Sequence, residues 1–175
     1  VHPLDCGYHF TENGGDIQSQ GFEFETRFRV TDALTVGLNA TYTNAESDGG
    51  IETIGALDGD KVPYFPEWMA AVSADYTWTF GSGEIALAAD YSYRDKMGTE
   101  FNPEDVNYRT IPSSSVVNAS INYRTGSWQF GLFGTNLTDS EQTSYVGAPT
   151  LPTQPGDQLF LGTPRTLGLR VRLDF

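Results

Sequence analysis

The stretch that decides the fold is the last one, GTPRTLGLRVRLDF (residues 162–175). From Leu167 every second residue is apolar: Leu169, Val171, Leu173 and finally Phe175. Gly168, Arg170, Arg172 and Asp174 stand between them. A period of two marks a strand whose two faces meet different surroundings. Here one face is greasy, the other is ionic, and the run ends on an aromatic ring.

The same alternation recurs upstream, in about seven segments of roughly 10 to 14 residues each. Residues 21–30 set Phe22, Phe24, Phe28 and Val30 against Glu23, Glu25, Arg27 and Arg29. Residues 34–42 set Leu34, Val36, Leu38, Ala40 and Tyr42 against Thr35, Gly37, Asn39 and Thr41. Further segments lie at 68–80, 85–94, 117–124 and 128–136, before the quoted 162–175. No segment carries a helical period, so almost no helix is expected. The connections alternate in length. Tight turns fall at VTDAL, GSGE and RTGS, and long loops at about 44–66, 95–113 and 138–163.

All the long loops therefore fall at one end of an antiparallel array, as in outer-membrane barrels with short periplasmic turns and long extracellular loops. The aromatics agree. Threaded this way, Phe28, Trp78, Phe80, Tyr123, Trp128 and Phe175 fall at the short-turn end, and Phe22, Tyr42, Trp68, Tyr91 and Tyr93 at the other. Val36, Leu38, Val72, Ala74, Leu87, Ala119, Leu132 and Val171 lie between them. An aliphatic band between two aromatic girdles suits a lipid bilayer. In hydrocarbon no water bonds the backbone, so the strands must close into a barrel. The competing reading is a soluble β-sandwich, which also alternates. Its strands are usually shorter and do not sort aromatics to their ends.

The totals narrow the function. A net charge of −13 over 175 residues offers no basic patch for nucleic acid. No apolar run is long enough for a spanning helix. The single cysteine, Cys6, forms no internal disulfide and leaves the redox compartment open. His2 and His9 are the only histidines, and their spacing suits neither a metal site nor a hydrolytic constellation. No catalytic, cofactor or metal site is expected. The glycosylation-like triplets at 39–41 and 118–120 fall inside predicted strands, and GSGE is too short to hold phosphate.

Several pieces in order resemble the C-terminal part of a TonB-dependent outer-membrane receptor. They are SQGFEFE (19–25) after ENGGD, LTVGLNATYTNAE, the proline-rich VPYFPEW (62–68), FGTNLTD (133–139), and the closing GTPRTLGLRVRLDF. The resemblance implies an all-β, up-and-down transmembrane barrel, of which this chain supplies about seven C-terminal strands out of 22. Residues 1–15 then read as the tail of an extracellular loop, or else as an eighth strand of a complete small barrel with a structural or adhesive role. It further implies TonB-energised uptake of a scarce large nutrient, such as a ferric siderophore or cobalamin, in the outer membrane of a Gram-negative bacterium. The implied partners are the plug domain and remaining strands of the same receptor, TonB indirectly, membrane lipid and lipopolysaccharide, and the barrel-assembly machinery. Val171, Leu173 and Phe175 match the C-terminal assembly signal of such barrels.

The resemblance puts ligand contacts on the loops and upper lumen. Arg94, Arg109, Tyr108 and Tyr145 are the candidates. Two readings stand for the arginines: bidentate contact with an anionic ferric chelate, or pairing with nearby carboxylates such as Asp90, Asp95 or Asp105. The tyrosines are candidate stacking residues. The loop acids Glu46, Asp48, Glu52, Asp58 and Asp60, set against Lys61, read as a solvated face or a lipopolysaccharide-bridging cation site.

Overall fold

The computed structural model describes residues 15–147 and 156–175. The expectations for Cys6, His2, His9 and the start of the chain fall outside these residues. The long strands are β1 (Asp16–Arg29), β2 (Leu34–Asp48), β3 (Trp68–Phe80) and β4 (Gly83–Arg94). Two short strands follow, β5 (Met97–Gly98) and β6 (Thr110–Ile111). Then come β7 (Ser114–Thr125), β8 (Trp128–Thr135), the loop hairpin β9 (Thr143–Gly147) and β10 (Gln158–Leu161), and β11 (Thr166–Leu173). A single 3-10 turn, Glu52–Ile54, is the only helical element among the described residues.

Seven strands form one antiparallel sheet in the order β1-β2-β3-β4-β7-β8-β11. Among the described residues it stays open, since β1 and β11 each have one neighbour. Opposed residues in an antiparallel pair share a face, so the register assigns every side chain. One row runs Leu38, Val72, Tyr91, Val117. Another runs Leu87, Ile121, Leu132, Leu169. The apolar positions read from the sequence thus form one continuous face. The other face carries Glu25, Asn39 and Ala71 in one row and Glu84, Arg124, Gln129 and Arg172 in another.

The apolar face is not folded inward. Val72, Leu87 and Val171 are 41%, 40% and 62% exposed. Within each girdle several rings touch. At the long-loop end Tyr42 lies 4.9 Å from Trp68, and Phe22 reaches both. At the short-turn end the series runs Trp78, Phe80, Tyr123, Phe130, Trp128. Phe130 joins this girdle, although its mid-segment place in the sequence hid it.

The tight turns follow local chemistry. Gly81 and Gly126 open two-residue turns at φ 52°, the glycine-first pattern of type II′ hairpins. In the first turn Thr31 Oγ1 accepts the Leu34 amide at 3.0 Å.

The boundaries that differ most from the sequence reading are those of β1 and β2. β1 starts at Asp16 rather than 21, and β2 runs on to Asp48 rather than 42. At roughly 3.3 Å per residue, a 15-residue strand spans about 50 Å. Even tilted, that exceeds the roughly 25 Å apolar band of such barrels. The ends of β1 and β2 therefore project past the girdle, where nothing demands alternation. The loop expected at 44–66 accordingly begins at 49, and its return leg bonds to β2. Ser47 N donates to Asp60 O at 2.9 Å, and Val62 N to Ala45 O at 3.0 Å. The final strand is shorter than its alternating pattern: β11 stops at Leu173, and Phe175 lies just beyond it.

Candidate functional site

The long-loop end is a packed cap over the sheet, and its buried residues tie the loops together. Ile111 is fully buried, and Ala45, Ile51, Ala56 and Val146 are nearly so. These five are the buried apolar side chains among the described residues.

Tyr64 joins three segments. It sits in the turn after Pro63 with φ 59°, where glycine is the usual occupant. Such a conformation costs a side chain about 1–3 kcal/mol. It is held by three contacts. Its amide donates to Gly98 O at 2.8 Å, its hydroxyl donates to Val146 O at 2.9 Å, and its ring stacks on Tyr145 at 5.4 Å. Phe160 meets Tyr145 edge-on at 5.5 Å. Burial, and then the neighbouring Tyr145, push the Tyr64 phenol above its ordinary value.

Both predicted arginines have partners within the chain. Arg94, at the loop end of β4, donates to the carbonyl of Thr143 at 3.0 Å and that of Pro112 at 3.4 Å. It pairs with backbone rather than with Asp90 or Asp95. Arg109 pairs with a carboxylate, that of Asp157, at 2.7 Å. That bond lowers the Asp157 carboxyl and raises the Arg109 guanidinium. Tyr108 packs its ring against Gly98, where a Cβ would lie 2.7 Å from it. All four predicted ligand candidates are thus part of the cap's framework.

The loop acids likewise have individual tasks. Lys61 bonds Glu46 at 2.8 Å and Glu67 at 2.7 Å, and also reaches Asn44. The hydrogen bond from Lys61 holds the Glu46 carboxyl below its ordinary value. Asp58 accepts the Gly49 amide, and Asp60 accepts the Leu57 amide, at 2.9 and 2.7 Å. Among the described residues no metal-ligating cluster forms.

Two concavities lie at this end of the sheet. One, of about 460 Å³, lies within the cap, lined by Lys61, Glu67, Lys96, Glu100, Phe101 and Tyr108 among others. The other, of about 600 Å³, lies on the ionic face beneath it, between Glu23, Glu25, Asn39, Met69, Arg94 and Gln142. From the latter level a relay climbs to the loops. Asn118 Nδ2 donates to Asp90 at 2.7 Å while its Oδ1 accepts the Asn136 amide at 2.9 Å. Asn136 Nδ2 then donates to Ser140 O and Thr163 O.

A polar concave wall, an apolar outer face and one capped end fit a membrane barrel. The family of TonB dependent receptor-like β-barrels matches over residues 3–137. The chain belongs to that family. Its receptors lie in the outer membrane of Gram-negative bacteria, which locates the chain. The family is one of receptors rather than enzymes, and it sets aside the soluble sandwich. Among solved structures, the ferric yersiniabactin uptake receptor FyuA from Yersinia pestis resembles the chain with a TM-score of 0.76 at 16% identity, over 93% of this chain and 24% of that one. The ferric-catecholate import receptor Fiu from E. coli K12 gives 0.70 at 21% identity, over 91% and 21%. BauA, the ferric preacinetobactin receptor of Acinetobacter baumannii, gives 0.70 at 22%, over 92% and 22%. The chain thus spans about a quarter of these receptors. No curated protein matches it by sequence.

The sequence reading missed Tyr64, Phe160 and Asp157. The tyrosine left one signal: it sits inside VPYFP, two prolines around a turn. The other two act only through cross-loop contacts, which no local pattern announces.

Proposed function

We propose that the chain is the C-terminal portion, about seven strands of 22, of an outer-membrane receptor that takes up a ferric siderophore, energised through TonB. One observation carries the reading: a receptor-barrel sheet with all its long loops gathered into one cap over a polar lumen. The names of the structural neighbours, each a receptor for a ferric chelate, favour iron over cobalamin. Its partners in this reading are a plug domain, the remaining strands and, indirectly, TonB. Val171, Leu173 and Phe175 serve barrel assembly, and outer-membrane lipid and lipopolysaccharide surround the wall.

The four loop candidates hold the binding cap in shape and meet ligand only at its inner edge. Arg94, which lines the lumen concavity, is the one whose loss acts on both. The test is growth under iron limitation on a panel of ferric siderophores, with the full-length receptor deleted and then restored. Loss of growth on one siderophore, dependent on TonB, is expected. Unchanged uptake of every siderophore, with uptake of another nutrient lost, would overturn the substrate class.

A further inference from the structure

The lipid-facing wall is not even. Over β8, between β7 and β11, its outer surface carries an apolar groove. The upper part, of about 320 Å³, is lined by Ala119, Ile121, Leu132, Gly134, Leu137 and Leu167 among others. The lower part, of about 420 Å³, shares Ile121 and Leu132 and continues between Tyr123, Phe130 and Val171. These three strands are neighbours in the sheet, so the groove is complete within the described residues. Gly134 shapes its upper end. A Cβ there would lie 2.5 Å from Leu137 Cδ2 and 2.9 Å from Leu167 Cδ2, so the glycine is what lets both leucines fold over β8.

The register gives the height of that end. One row of paired residues runs from Phe28 on β1 across all seven strands to Leu167 on β11. On β1 the row lies in the short-turn girdle. On β11 that girdle lies lower, where Leu173 pairs with Trp128. The row therefore climbs toward the loops as it crosses the sheet. With strands tilted about 40° and spaced about 4.8 Å, its six steps rise roughly 18 Å. Leu167 thus sits near the upper limit of the roughly 25 Å apolar band, and the residues just above it reach the headgroups.

Arg165 stands at that level. It precedes Leu167 by two residues and meets Asp139, which follows Leu137 by two. The contact is loose, 3.3 Å from Nη2 to Oδ2, and both side chains are half exposed. Exposed pairs of this kind contribute little, and this one leaves most of the guanidinium's donors open. Lys61 is by contrast held by two carboxylates, Glu46 and Glu67. A guanidinium takes phosphate through paired, charge-assisted hydrogen bonds. Within hydrocarbon, an apolar groove gains from close packing rather than from leaving water.

We propose that this groove holds an acyl chain of lipid A, the phosphorylated anchor of outer-leaflet lipopolysaccharide, with a phosphate of that lipid on Arg165. The proposal takes the long-loop end as the outer one, on the receptor reading above. It adds one located site on a wall that lipid otherwise covers without preference.

The test uses the full-length receptor, purified in detergent, stripped of lipid and titrated with lipid A under native mass spectrometry. Heat-modifiable mobility first reports that each barrel is assembled, which tests the receptor reading separately. Arg165→Gln should lower the affinity of the tightest-held lipid A about tenfold. Ala119→Phe, which fills the groove with an apolar ring, should do the same, and Ala119→Leu replaces it if the ring blocks assembly. Arg172→Gln, on the lumen face, should leave the affinity unchanged. Lipid A stripped of its phosphates should bind the wild type and Arg165→Gln alike. Unchanged affinity in an assembled Arg165→Gln barrel would overturn the proposal. So would an equal loss for the phosphate-free lipid, or phosphatidylglycerol displacing lipid A at equal concentration.

Discussion

The wall and the cap obey opposite rules. In the wall, large apolar side chains stand exposed, with Leu169 at 82% and Leu132 at 49%. In the cap, five small or aliphatic side chains are buried, and Ile111 has no exposed surface at all. The difference lies in the solvent. The wall is stabilised by lipid on one face and by a continuous antiparallel backbone ladder. The cap stands in water and must make its own core, small as it is, with ring stacks and cross-loop hydrogen bonds. A mutation's effect therefore depends on which solvent its side chain was chosen for.

The comparison breaks most sharply under charge. Val72→Lys at mid-wall should destabilise the membrane-inserted receptor by about 2–4 kcal/mol, read from its urea midpoint in lipid vesicles. Leu57→Lys in the cap, itself exposed at 60%, should leave that midpoint unchanged. Equal sensitivity at both sites would erase the distinction. Ile111→Ala should cost the cap about 2–5 kcal/mol locally. Loop cleavage by a protease should then rise sharply while the heat-modifiable mobility of the barrel persists.

Smaller effects sharpen the picture of the cap. Tyr64→Phe removes the hydroxyl donated to Val146 but keeps the stack, and should weaken loop protection by about 1 kcal/mol in hydrogen exchange. The least effect belongs to the ion pairs, and its sign follows from linkage. Glu46 and Asp157 have folded values below their ordinary 4.5 and 3.8. Their contribution is fully present above those values and is lost as pH falls through the lowered ones. Lys61 has a folded value above its ordinary 10.5, so its share is present below that and is lost as pH rises through the raised value. Loop protection should thus be flat near neutrality and weaken only in strong acid or strong base. Both pairs are exposed, so screening by salt should shrink the effect further.

The wall was legible because lipid imposes a rule on every second residue. Leu38, Val72, Leu87 and Val171 announced their face from alternation alone, and the register bears this out. The legibility stopped where the lipid stopped. Gln18, Gln20, Asn44 and Glu46 continue β1 and β2 beyond the girdle without an apolar partner face, so those strand ends read as loop. In the cap, function and framework are made by pairs distant in sequence. Arg94 with Thr143, Arg109 with Asp157, and Tyr64 with Tyr145 are separated by 49, 48 and 81 positions. Local pattern pointed to Arg94, Arg109, Tyr108 and Tyr145 as polar or aromatic residues in the right region. It had no means of telling which groups they would engage.

The most direct test labels single cysteines at 70 to 76 along β3 in the vesicle-inserted receptor, with Cys6 replaced. Quenchers confined to lipid and to water are then compared. Positions 70, 72, 74 and 76 should respond to the lipid quencher and 71, 73 and 75 to the aqueous one. If the even positions are shielded from both, those side chains pack in a protein core, and the barrel-wall account is wrong.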